Sequence, residues 1–144
     1  MMRTEDIRSD QSQLLDQESE LGMINEKRKV VEQKAAGYLK ARYHIGFSQK
    51  TLPLEIDGDI VFHKFDLVSS DNRIVAEVKD HIITASGNIS SAKILDTYGA
   101  CEMLEKASAQ KKLLVLTDFG FYKSFKKNSD GRISKKVRII CIPI

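Results

Sequence analysis

Between residues 52 and 83 the chain changes its apolar period, and that change limits what it can fold into. LPLEI, DIVFHKFDLV and RIVAEVKDHII are rich in branched and aromatic residues and are separated by short turn signals, so they are predicted strands. Upstream, from about Gln13 to Tyr43, no proline occurs, and Leu14, Leu21, Ile24, Val31, Ala35 and Tyr38 recur at threes and fours. That stripe predicts one long helix or two in sequence. Downstream, Asn88 or Ser90 is placed to cap a helix reaching about Ala107, with Ile94, Leu95, Tyr98, Cys101, Met103 and Leu104 inward. KKLLVLTD reads as a buried strand, GFYKSF as a short helix or turn, NSDG as a tight turn and KKVRIICIPI as a closing strand. A meander followed by a helical crossover to a buried strand predicts an α/β fold around a mixed sheet.

A chain of 144 residues is expected to form one domain, 1–144, with 1–23 a polar extension or helical arm. There is no apolar run long enough for a membrane span, and MMRTEDIRSDQSQ lacks the apolar stretch of a secretory signal. A cytoplasmic protein without a membrane partner is the expectation. Cys101 and Cys141 form neither a close pair nor a zinc pattern and are read as reduced core thiols.

Charge is unevenly spread. Residues 111–144 carry nine Lys and Arg against two Asp, a net of +7, while residues 1–110 are net −4. A basic segment of this kind suits either a polyanion-binding face or a lysine-rich solvated surface. Tyr122 and Phe121, among Lys123, Lys126 and Lys127, are of the types that stack on bases beside phosphate contacts, or that pin a short helix to a sheet.

Two acids and a lysine stand on the apolar runs. Side chains alternate along a strand, so Val75, Glu77 and Lys79 share one face. A turn of two or four residues centred between Ser70 and Asp71 sets Asp66 opposite Val75 and diagonal to Glu77, roughly 7–8 Å away. A three-residue turn puts Asp66 on the other face. One hard cation can span the diagonal gap, and an ammonium at Lys79 is placed to stabilise charge on a phosphate. The plainer alternative is an exposed face with a surface ion pair. Asp57 and Asp59 flank Gly58 and most simply make a turn, and His81 reads as structural.

Phe65-Asp66, ten intervening residues, then Glu77-Val78-Lys79 resembles the PD-(D/E)XK nuclease signature, with phenylalanine at the motif's variable proline. The resemblance covers roughly residues 25–118. It implies a restriction-endonuclease-like core of helix, three-strand meander, helix and strand, and a metal-dependent nuclease or a non-catalytic nucleic-acid-binding or assembly module keeping that fold. It further implies Asp66 and Glu77 as ligands of magnesium, with manganese able to substitute, and the Val78 carbonyl completing the coordination. Lys79 becomes the catalytic lysine, and Glu32 the added acid from the first helix, ahead of Glu26. Lys93 is the candidate polar residue on the helix after the Lys strand. Lys123, Lys126, Lys127, Arg132 and Lys135 become the nucleic-acid contacts, with DNA favoured over RNA. Symmetric cutting of a duplex needs two sites, so a homodimer joined through the N-terminal helix is a further expectation.

Overall fold

The computed structural model describes the backbone of residues 4–144 and side chains from residue 19 onward. The packing of Leu14 therefore falls on a side chain outside the described residues. The chain divides into two compact units, residues 1–31 and 32–144. Helix α1 (Thr4–Tyr43) contributes to both. In the first unit Leu21, Met23, Ile24 and Val30 are exposed.

The second unit continues through β1 (Phe47–Ile56), β2 (Asp59–Ser69), β3 (Ile74–Lys79), α2 (Ser91–Lys106), β4 (Lys111–Leu116), α3 (Phe119–Ser129) and β5 (Val137–Cys141). The strands form one sheet in the order β1-β2-β3-β4-β5. Its first three strands run antiparallel as a meander, while β4 and β5 join parallel to β3. Parallel neighbours need crossovers, and α2 and α3 supply them.

Alternation sorts the side chains between two cores. Val68, Val75, Leu114 and Leu116 face Ala100, Cys101 and Leu104 of α2 and Phe121 and Phe125 of α3. Leu67, Ile74, Ala76, Leu113 and Val115 face Ala35 and Leu39 of α1. The α2 stripe differs from expectation at one point, since Leu95 is exposed. Its buried residues are Thr97, Ala100, Cys101 and Leu104, and Leu95 lies about 200° around the helix from Thr97. Ser90 caps α2 by accepting the Lys93 amide at 3.3 Å. No described helix is long and apolar enough to cross a membrane. Both cysteines are free thiols, and burial pushes Cys101 up to about 12, leaving it unreactive at neutral pH.

Ile56 pairs with Asp59, so Asp57 and Gly58 alone make the β1–β2 turn, at φ 52° and 85°. Two successive positive φ values match the twist of a tight hairpin. Gly58→Ala forces a Cβ into that left-handed position and is expected to cost about 1–2 kcal/mol. Urea unfolding of the variant beside wild type measures it.

Candidate active site

Two irregularities in β2 bring the acids together. The first is the turn to β3. Leu67 pairs with Ala76 and Val68 with Val75, which centres the turn between Asp71 and Asn72, one residue later than expected. Its length is still even, with Ser70–Arg73 outside the strands, so the expected parity holds. Extending that register by one step sets Asp66 toward Glu77 rather than diagonal to it, and the two side chains meet in a hydrogen bond. Side-chain bonds hold the shifted centre. The Ser69 hydroxyl donates to Asp71 Oδ1 at 2.7 Å and accepts the Ile74 amide at 2.9 Å, while Asn72 takes φ 61°.

The second irregularity lies against β1. Ser48 pairs with Val68 but Lys50 with Phe65, so two steps on β1 match three on β2. The extra residue is a bulge at Asp66 and Leu67, a device that re-aims a side chain. Strand pairing with β3 ends at Leu67–Ala76, and beyond it Asp66 Oδ2 accepts the Val78 amide at 2.8 Å. The carboxylate has taken the place of a strand carbonyl.

Glu77 is nine-tenths buried and its pKa is pushed up to about 9. Burial is the main cause, followed by the hydrogen bond and the charge of Asp66; Lys79 opposes, and the Glu32 charge adds a smaller upward push. His63 Nε2 lies 2.6 Å from Glu77 Oε1. The distance suits an ion pair, but burial holds His63 below its ordinary range, with Lys79 acting the same way and Asp66 the other. At neutral pH both groups are therefore uncharged. One assignment fits these contacts: the imidazole Nε2–H donates to Glu77 Oε1, the Glu77 hydroxyl donates to Asp66, and Asp66 also accepts from Val78. His63 was not foreseen as part of this cluster. It sits on β2 two residues from Phe65, whose ring it meets edge-on at 4.6 Å.

Lys79 turns toward α2. Its Nζ is 2.9 Å from Asp96 Oδ2, and His81 Nε2 reaches the same oxygen at 2.7 Å. Burial works against the charge on Asp96, but the bonds from His81 and Lys79 outweigh it and hold the carboxyl below its ordinary range. The His81 ring rests on Phe121 at 5.5 Å. The polar α2 residue at the site is thus Asp96. Lys93 instead donates to the Ile82 carbonyl at 3.3 Å, bracing the loop before the helix.

Glu32 is half-buried and close enough for its charge to act on Glu77, whereas Glu26 is exposed. Lys123, Lys126, Lys127, Arg132 and Lys135 are all exposed. Phe121 is fully buried between the sheet and α3, so it cannot stack on a base; the exposed ring of α3 is Phe119.

Among the described residues no three His, Cys, Asp or Glu side chains form a group able to hold a metal by themselves. Magnesium asks less of a protein, usually one or two carboxylates with water and substrate oxygens filling the rest. Asp66 and Glu77 fit that demand chemically. Two acids share one proton in a buried place, and a hard cation can resolve the same repulsion. The chain matches no protein-family model, no curated protein and no solved structure.

Proposed function

We propose that the protein is a metal-dependent nuclease of restriction-endonuclease-like fold that hydrolyses phosphodiester bonds in DNA. The observation that carries this reading is the contact between Asp66 and a buried Glu77, whose burial, reinforced by Asp66, keeps it protonated at neutral pH beside a lysine. A sheet that buries such a pair on purely structural grounds gains nothing from it, because burying like charges costs stability. The order of helix, antiparallel meander, helix and parallel strand also agrees with the core that the Asp66…Glu77-Val78-Lys79 signature implies.

In this reading Asp66, Glu77 and the Val78 carbonyl hold magnesium, with manganese as a substitute. The ion supplies charge neutralisation at the phosphate and a water of lowered pKa. The chain's own residues do the rest. Glu77 would bind the ion as a carboxylate, its proton passing to solvent, while Asp66 stays anchored on the Val78 amide and Lys79 would present an ammonium to the phosphate oxygens. Exposed Lys123, Lys126, Lys127, Arg132 and Lys135 contact the flanking backbone.

Incubation of plasmid and single-stranded DNA with the protein, with and without magnesium, tests the reading. Cleavage that needs the ion and vanishes in Glu77→Ala is the expected result. Metal-dependent cleavage untouched by that substitution ends the assignment. A second reading, a nucleic-acid-binding module without the chemistry, draws on the Lys79–Asp96 pair and the lack of a three-ligand group among the described residues. Binding of DNA with no cleavage under any divalent ion selects it.

Asp96 acts through Lys79 in this scheme, as a positioning residue. Asp96→Ala is expected to lower kcat about tenfold with KM little changed, because the ammonium loses its fixed place. Asp96→Glu should recover part of that loss, which a merely structural role for the residue does not predict.

A further inference from the structure

The first turn of α3 starts beside the catalytic cluster. Lys79 pairs with Leu116 across the parallel β3–β4 ladder, and the Thr117 amide donates to the Lys79 carbonyl at 3.3 Å. Asp118 then caps α3, its Oδ2 accepting the Phe121 amide at 2.9 Å. Gly120 lets this turn press against the segment that follows Lys79, since a Cβ there would meet Ile83 Cδ1 at 2.9 Å. The start of the helix is held in place, and Phe119, its first residue, is left 60% exposed.

Phe119 does not stand alone. Its ring lies nearly parallel to that of half-buried Tyr122, at 27° with centroids 6.2 Å apart. The Lys123 ammonium sits 5.6 Å from the Phe119 centroid, and Lys126 sits 5.4 Å from the Tyr122 centroid and 3.2 Å from its hydroxyl. Exposed Lys127 extends the positive charge along the helix. Aromatic faces interleaved with cations are what a strand with unpaired bases requires, one component for the base and one for the phosphate. A duplex keeps its base faces covered by its own stacking and has no use for the rings.

We propose that Phe119 and Tyr122 form a stacking platform for single-stranded DNA, with Lys123, Lys126 and Lys127 along its backbone, delivering an unpaired strand to the Asp66–Glu77–Lys79 site. The inference rests on the nuclease reading for the role of that delivery, but binding is measured separately from cleavage. The platform selects substrates with unpaired bases next to the bond that is cut.

Fluorescence anisotropy with the full chain in EDTA tests it, using a labelled oligothymidine strand and a duplex of equal length. Phe119→Ala is expected to weaken strand binding about tenfold and to change duplex binding less than about twofold. Phe119→Trp should restore the strand affinity. An unaltered melting temperature for both variants excludes misfolding, as the exposure of Phe119 leads one to expect. Strand binding unchanged in Phe119→Ala, an equal loss on duplex, or a wild type that does not bind the strand overturns the platform. Strand binding lost in Phe119→Ala while wild type cuts no DNA under any divalent ion removes the nuclease reading and leaves the platform standing.

Discussion

In EDTA at pH 7, Glu77→Gln is expected to be more stable than wild type by about 3 kcal/mol, at 1.36 kcal/mol per pH unit. Glutamine keeps the shape and the neutral hydrogen bonding of the protonated acid but has no proton to hold. In wild type the Glu77 pKa is about 9 in the folded chain, against an ordinary 4.5. A raised pKa contributes stability that is complete below 4.5 and is lost as pH climbs through 9. The gap between variant and wild type should therefore be small near pH 4.5 and widen steadily to pH 9. Magnesium should close it from the wild-type side, raising the wild-type midpoint more than that of the glutamine variant, because an ion can replace the proton only where a carboxylate can form. Urea unfolding at several pH values, with and without magnesium, reads all of this. A gap that does not change with pH would show that the Glu77 charge is not what strains the folded state.

The same residues show how far the sequence could be read. Alternation along RIVAEVKD was enough to put Glu77 and Lys79 on one face, and the even turn kept Asp66 in step with them. The position of the turn was not legible. It is held by the Ser69 hydroxyl bridging Asp71 and the Ile74 amide, and many Ser-Asp-Asn clusters offer that bond at more than one residue. The bulge at Asp66 was equally hidden, because it arises from a mismatch between β1 and β2 rather than from either run alone. His63 and Asp96 escaped notice for a related reason. Each meets the motif from an element 14 or 17 residues away in sequence, across the sheet or down from α2. A period-two count on DIVFHKFD puts His63 on the face opposite Asp66, and only the bulge between them lets both reach Glu77. The two readings of Phe121, stacking on a base or pinning a helix to the sheet, could not be separated without the helical phase of this segment, and its burial selects the second. Once α3 begins at Phe119, its buried residues Phe121 and Phe125 fall four apart on one stripe, and Phe119 faces away.

On the nuclease reading proposed above, Asp66→Ala and Lys79→Ala are each expected to reduce metal-dependent cleavage by at least about 100-fold, the scale seen when one electrostatic stabiliser is removed from a preorganised site. Their other properties should differ, and the difference is the sharper test. Asp66 supplies an oxygen donor, and its side chain is also what holds the Val78 amide at 2.8 Å. Its loss should abolish saturable magnesium binding by calorimetry and also relieve Glu77, whose pKa falls toward the ordinary range once the neighbouring carboxylate is gone. In that reading Lys79 would give the ion no ligand. Removing it should leave magnesium binding nearly intact while cleavage collapses, and should leave Asp96 with His81, at 2.7 Å, as its one remaining ion-pair partner among the described residues. Burial already dominates the raised pKa of Glu77, and Lys79 is the charge opposing it, so the lysine-free variant should hold the Glu77 proton to still higher pH. Its residual activity is then expected to rise at higher pH than that of wild type, because the carboxylate forms later. Equal loss of magnesium binding in the two variants would mean that Lys79 shapes the site rather than acting on the phosphate.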